Sequence, residues 1–145
     1  MEKYCSDPLA VFNQLYKEMD EIYHLYAKRH GLSDTALWML YSLCQSDTAY
    51  TQREFCATWH YPPQTTNSAL KNLENQGLIA LKAIPGNQKN KWIVLTPTGE
   101  ETAQTVILPL VHAEQRAFQD LTGEERDALL ALTRKYVEHL RGQVG

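Results

Sequence analysis

The chain has 145 residues, 43% of them hydrophobic and 21% charged, with a net charge of −3. That length suits one domain with a real core, and no apolar run is long enough to cross a bilayer. The start, Met1-Glu2-Lys3-Tyr4-Cys5, is polar and unlike a signal peptide, so a cytoplasmic protein with no membrane partner is expected. Three widely spaced cysteines give neither a disulfide framework nor a zinc-ligand pattern, and the seven glycines form no phosphate-cradling loop. No activated nucleophile or paired-carboxylate motif is present, so neither an enzyme nor a cofactor is predicted.

From Pro8 to about His30, Leu9, Phe12, Leu15, Tyr16, Met19, Ile22, Tyr23 and Tyr26 recur at helical spacing. A helix of that length is about 34 Å long, more than a small domain can cover. Ser33 is placed to cap a second helix, with Leu37, Leu40, Tyr41 and Cys44 on one face. Thr51-Gln52-Arg53-Glu54 is a capping box that opens a third helix. A fourth follows Pro62-Pro63 and stops at Gly77, with proline at its start and glycine just past its end. Leu78–Ile84 and Trp92–Leu95 read as strands, joined by the polar loop Pro85–Asn90 with Lys91 at the edge of the second strand. Thr96-Pro97 opens a helix expected to reach about Asp120. Thr122-Gly123-Glu124-Glu125 is a second capping box, followed by Leu129, Leu130, Leu132, Tyr136, Val137 and Leu140 on a last helix.

Helix, turn, helix and hairpin in this order predict a winged helix-turn-helix, whose second helix fits a DNA major groove. The expected fold class is mainly α with a small β-hairpin wing. A single domain, 1–145, would hold the winged helix at about 33–98 and dimerisation helices at about 8–30 and 97–142. On the fourth helix Thr66, Ala69, Leu70 and Leu73 would face inward. Gln64, Thr65, Asn67, Ser68, Lys71 and Asn72 would face outward, with hydroxyl and amide groups that can donate to and accept from base edges and phosphates. In the wing, Asn87, Gln88, Lys89 and Lys91 could lie along a phosphate backbone or in the minor groove. Against these stand an ordinary solvated helix face and a plain surface turn. Between Tyr61 and Pro97 four lysines face one glutamate, a net +3, so with −3 overall the rest of the chain carries −6. A modest positive face on an acidic body fits double-stranded DNA as partner, with salt-sensitive affinity. Apolar helices at both chain ends predict a homodimer rather than a monomer that buries them on its own wing.

The chain resembles the MarR family of bacterial transcription regulators. The residues that carry the likeness are Gly31-Leu32-Ser33 with Trp38 and Leu40, Glu54-Phe55, Leu73-Glu74-Asn75-Gln76-Gly77-Leu78-Ile79, and Leu95-Thr96-Pro97-Thr98-Gly99. The resemblance implies a homodimer on a pseudo-palindromic operator, usually a repressor, released when a small phenolic or lipophilic ligand, an oxidant or a metal acts on it. His60 stands where the family usually has glycine, Pro62 replaces the usual hydroxyl cap, Ser68 replaces an early arginine, and the wing lacks the family's Asp-x-Arg signature.

For the effector, the family default is a small-molecule pocket, placed here among Tyr26, His30, Trp38, Tyr41 and His112; the same aromatics could equally be core. Cys5 lies roughly where peroxide-sensing members carry a reactive cysteine. Cys44 and Cys56 read as core residues. Glu21, His24 and His112 could be drawn together as metal ligands, but five scattered histidines make such coincidences common, and no metal site is expected. A winged helix serving as a protein–protein adaptor, without sequence-specific DNA binding, is the alternative function.

Overall fold

The structure, a computed structural model, describes residues 7–45 and 49–145, the side chain of Gln88 excepted. The elements run α1 (Pro8–Arg29), α2 (Asp34–Leu43), β1 (Tyr50–Thr51), α3 (Gln52–Trp59), α4 (Pro63–Asn75), β2 (Ile79–Ile84), β3 (Asn87–Leu95) and α5 (Pro97–Thr102). A π-helical segment, Ala103–Ile107, precedes α6 (Leu108–Gln119) and α7 (Gly123–Val144). Mainly helical with a three-stranded antiparallel sheet in the order β1-β3-β2, this is the winged-helix architecture expected. The chain forms two compact units, one ending at Ile107 and one spanning Leu108 to Gly145.

The expected caps at Ser33, Thr51, Thr96 and Thr122 are in place, and α1 has one that the sequence reading did not include. Asp7, just before Pro8, accepts from Ala10 N at 3.0 Å and starts α1. That helix ends at Gly31, whose φ of +73° closes a Schellman motif: Gly31 N donates to Lys28 O at 3.1 Å and Leu32 N to Ala27 O at 2.9 Å. Ser33 then caps α2, its hydroxyl accepting from Ala36 N. Both capping boxes, Thr51 with Glu54 and Thr122 with Glu125, are complete. His60 adopts the left-handed conformation at φ +56°, so the turn survives without glycine.

The first unit's core centres on α2, which packs against α1, α4 and the π-helical segment. Leu37, Met39 and Leu40 are fully buried, together with Phe55, Leu73, Ile79 and Ile107. Packing on several sides explains why Met39 and Ser42 are buried as well as the expected Leu37 and Leu40. Cys44, expected inside, is exposed, because it caps the end of α2 beyond the packed turns.

Three departures from the sequence expectation have local causes. Tyr50–Thr51 pairs with Ile93 and Trp92 of β3, a two-residue strand too short for any period to show. The wing's turn is Pro85-Gly86 rather than the whole of Pro85–Asn90, since β3 begins at Asn87, which pairs with Ile84. Pro85 followed by Gly86 at φ +78° fits a type II turn, whose twist splays flanking strands. The register then shifts between Ile84↔Asn87 and Ala83↔Lys91, leaving residues 88–90 as a bulge. Finally, the expected single helix from Pro97 to Asp120 is interrupted by the π-helical turn. Pro109 has no N–H to bond Thr105 O and its ring crowds that carbonyl, so the helix opens just before it.

At the base of the wing, Gly77 at φ +76° ends α4 in a second Schellman motif, with Leu78 N on Leu73 O at 3.0 Å. Thr96 N donates to Leu78 O at 3.1 Å, and the Thr96 hydroxyl donates to Gly77 O while accepting from Gly99 N. A Cβ on Gly99 would stand 1.8 Å from Leu78 O. Gly99→Ala must therefore push α5 off the strand, and is expected to cost about 3 kcal/mol or more in denaturant unfolding. A variant as stable as wild type would show that this contact is looser than the geometry requires.

Candidate nucleic-acid interface

The helix α4 divides cleanly into two faces. Thr66, Ala69, Leu70 and Leu73 are buried, whereas Gln64, Thr65, Asn67, Ser68, Lys71 and Asn72 are all exposed. None of these six has a side-chain hydrogen bond to the chain among the described residues, so their polar groups are available to a partner. Thr66 is completely buried and its Oγ1 has no partner among the described residues, so it serves packing alone. Pro62 and Pro63 start the helix without a side-chain cap, leaving its first amides uncapped by any side chain.

In the wing, Asn87, Lys89 and Lys91 are exposed and lie on β3, as does Gln88. Asn87 Oδ1 accepts from Lys89 N at 3.1 Å and Asn90 N at 3.2 Å. This Asx-type turn holds the bulge and directs Asn87's own carbonyl oxygen inward to the backbone. Lys89 and Lys91 thus stand on a braced ribbon rather than on a free loop.

The proposed ligand residues of the first unit are brought together in part. Tyr26 and His30 rings stack obliquely at 4.5 Å, and Trp38 meets Tyr41 at 5.4 Å. Tyr23, absent from the predicted set, joins Trp38 at 4.8 Å. Its place on the apolar stripe of α1, one turn before Tyr26, was the available signal. The Tyr26 hydroxyl donates to Val106 O in the π-helical segment at 2.5 Å, and Arg29 sits 5.9 Å over its ring. Burial raises the Tyr26 pKa, partly opposed by the Arg29 charge. His112 lies exposed on α6, in the second unit.

Cys5 lies outside the described residues. At Cys44, desolvation by neighbouring atoms raises the thiol pKa even though the residue is exposed, which disfavours the reactive thiolate. Cys56 is half-buried. His24 Nδ1 is hydrogen-bonded to the Asp34 carboxylate at 2.9 Å and 3.1 Å, tying α1 to the first turn of α2. Among the described residues no three His, Cys, Asp or Glu side chains are grouped to hold a metal ion.

Residues 30–89 match the model of the MarR family. Over 76 residues the chain is 29% identical to the HTH-type transcriptional regulator YwhA of Bacillus subtilis (strain 168), covering 52% of this chain and 55% of that protein. The chain thus spans about half the length of that curated relative. Among solved structures, MepR of S. aureus, in a complex with DNA, superposes with a TM-score of 0.76 at 20% identity, over 97% of this chain and 99% of that one. BpsR of Bordetella bronchiseptica, whose DNA binding is regulated by 6-hydroxynicotinic acid, superposes with a TM-score of 0.73 at 18% identity, over 94% and 97%. At these identities the superpositions show a shared fold.

Tyr26→Phe removes the bond to Val106 O and is expected to cost about 1 kcal/mol of unfolding free energy at neutral pH, read in denaturant titration. Because the folded-state pKa of Tyr26 is raised above the ordinary 10.0, its contribution is whole below that value and is lost as pH rises through the folded pKa. Wild type and variant should therefore converge in alkali. A gap that persists there would exclude the hydroxyl as its source.

Proposed function

We propose that this chain is a member of the MarR family, as the match over residues 30–89 supports, and a transcriptional repressor that binds a pseudo-palindromic operator as a homodimer. The observation that carries this reading is the outward strip of hydroxyl, amide and lysine side chains on α4, free of internal hydrogen bonds among the described residues and set beside a lysine-bearing wing. One α4 would enter each of two major-groove segments, with Gln64, Thr65, Asn67, Ser68 and Asn72 reading bases and Lys71 reaching phosphate. Asn87, Gln88, Lys89 and Lys91 would follow the flanking backbone or minor groove. Its relatives with solved structures support this role: one is seen on DNA, and another's DNA binding is controlled by an aromatic acid.

Dimerisation is supported by apolar side chains left in solvent. On α1, Val11, Leu15, Met19 and Ile22 are 51–65% exposed. The second unit, taken by itself, exposes Leu129, Leu130, Leu132, Val137 and Leu140 along one broad face of α7. Surfaces of this kind mark interfaces, and a second copy supplies a matching one by symmetry. Release by a small lipophilic or phenolic ligand, in the cytoplasm, would act through Tyr26, His30, Trp38 and Tyr41 of the first unit.

The adaptor alternative predicts no saturable DNA complex. A mobility shift with the DNA flanking its own gene separates the two readings. Lys89→Ala and Lys91→Ala are expected to weaken specific and random duplexes alike, each flattening the salt dependence by a slope of about 1.8, since a dimer loses the lysine from both wings. Gln64→Ala or Ser68→Ala should instead alter sequence preference by about 1–3 kcal/mol at the bases they touch. Unchanged binding in all four variants would remove α4 and the wing from the interface. Sedimentation at micromolar concentration is expected to give a dimer, and Leu15→Glu with Leu132→Glu a monomer; a wild-type monomer would overturn the twofold assembly.

A further inference from the structure

A groove of about 460 Å³ runs along the flank of α4 that faces α2. Gln64, Thr65, Ser68 and Asn72 form its α4 side, and Ser33 and Thr35 its α2 side. The Ser33 hydroxyl is occupied as the cap of α2, accepting from Ala36 N at 3.1 Å. Thr35 is half-buried, and its hydroxyl has no hydrogen-bond partner among the described residues. Asp34, the acidic neighbour in that turn, is engaged by His24. The groove is therefore lined by neutral groups, hydroxyls and amides interspersed with Ala36, Pro62 and Ala69, and shares its rim with the strip of α4 that faces outward.

A helix seated in a major groove has a sugar-phosphate backbone on each side. A short hydroxyl set beside such a helix is too far from base edges to read them. Threonine commonly donates to phosphate oxygens, and such contacts fix register without reading sequence. An enclosed apolar cavity would favour a small ligand instead, and this groove is open, with hydroxyls and amides among its lining groups. We propose that Thr35 is a further DNA-contacting residue, donating its hydroxyl to a phosphate of the backbone that flanks the segment entered by α4. The interface then takes in the first turn of α2 as well as α4 and the wing. This rests on the DNA-binding reading above.

The test is titration of the full chain with a short duplex of random sequence at several salt concentrations, since every duplex presents phosphates. Thr35→Val keeps the shape and removes the donor; Thr35→Ser keeps the donor; Lys91→Ala serves as reference. Thr35→Val is expected to weaken binding about tenfold at every salt concentration. Its salt slope should match wild type, because a neutral hydroxyl releases no counterion, whereas Lys91→Ala should flatten it. Thr35→Ser should bind like wild type. If Thr35→Val binds as tightly as wild type while Lys91→Ala weakens, the Thr35 contact is overturned and the DNA reading stands. Equal loss in Thr35→Ser and Thr35→Val would show that the methyl group matters rather than the hydroxyl, and also overturns it. No saturable binding by wild type would overturn the DNA reading itself, and this inference with it.

Discussion

The closeness of Gly99 to the Leu78 carbonyl sets the geometry of the whole winged helix. At this point the end of α4, the start of β2 and the start of α5 meet within a few residues. The Leu78 carbonyl receives Thr96 N, the Gly77 carbonyl receives the Thr96 hydroxyl, and the same hydroxyl caps α5 by accepting from Gly99 N. One threonine therefore satisfies groups on three elements. A side chain at position 99 would separate them, because its Cβ would overlap a backbone atom that cannot rotate away. The angle between α4 and the wing follows from this knot, and with it the chance that both lie along one surface.

Given that angle, the chemistry of the exposed strip decides what can be bound. Four lysines and one glutamate between Tyr61 and Pro97 give a positive but sparse field, on a chain that is negative overall. Most of the outward groups on α4 are amides and hydroxyls, with no arginine among them. Neutral groups contribute little to long-range attraction and little to counterion release. They form short hydrogen bonds whose strength depends on position, so rigidity matters more here than charge. The Asx-type turn at Asn87, the bulge at residues 88–90 and the Schellman end of α4 all supply it.

The features legible in the sequence are those with residue-specific causes. Caps at Ser33, Thr51, Thr96 and Thr122, and the helix end at Gly77, follow from side chains and φ values that few other residues supply. Both faces of α4 followed from its period. What could not be read depends on partners distant in sequence. The strand Tyr50–Thr51 exists only because β3 lies beside it, and Cys44 is exposed because the packed part of α2 ends one residue earlier. Thr35 gained its neighbours from α4, not from its own helix. The π-helical turn is a different case, since Pro109 was a local signal for it, outweighed by the strength of the surrounding helical pattern.

The end helices obey a looser constraint. Their apolar positions need only recur at helical spacing, and any of several large side chains can occupy each one. On the proposed reading they nevertheless decide whether the reading unit is useful. A single α4 with Lys71, helped by Lys89 and Lys91 on one wing, contacts few phosphates, and each contact is weakened by salt. Joining two copies makes the second engagement intramolecular, so affinity rises by orders of magnitude without any new kind of contact. It also restricts binding to sites whose two halves match the separation of the paired helices. The apolar stripes of α1 and α7 would thus supply the specificity that a weakly charged, arginine-free α4 lacks alone.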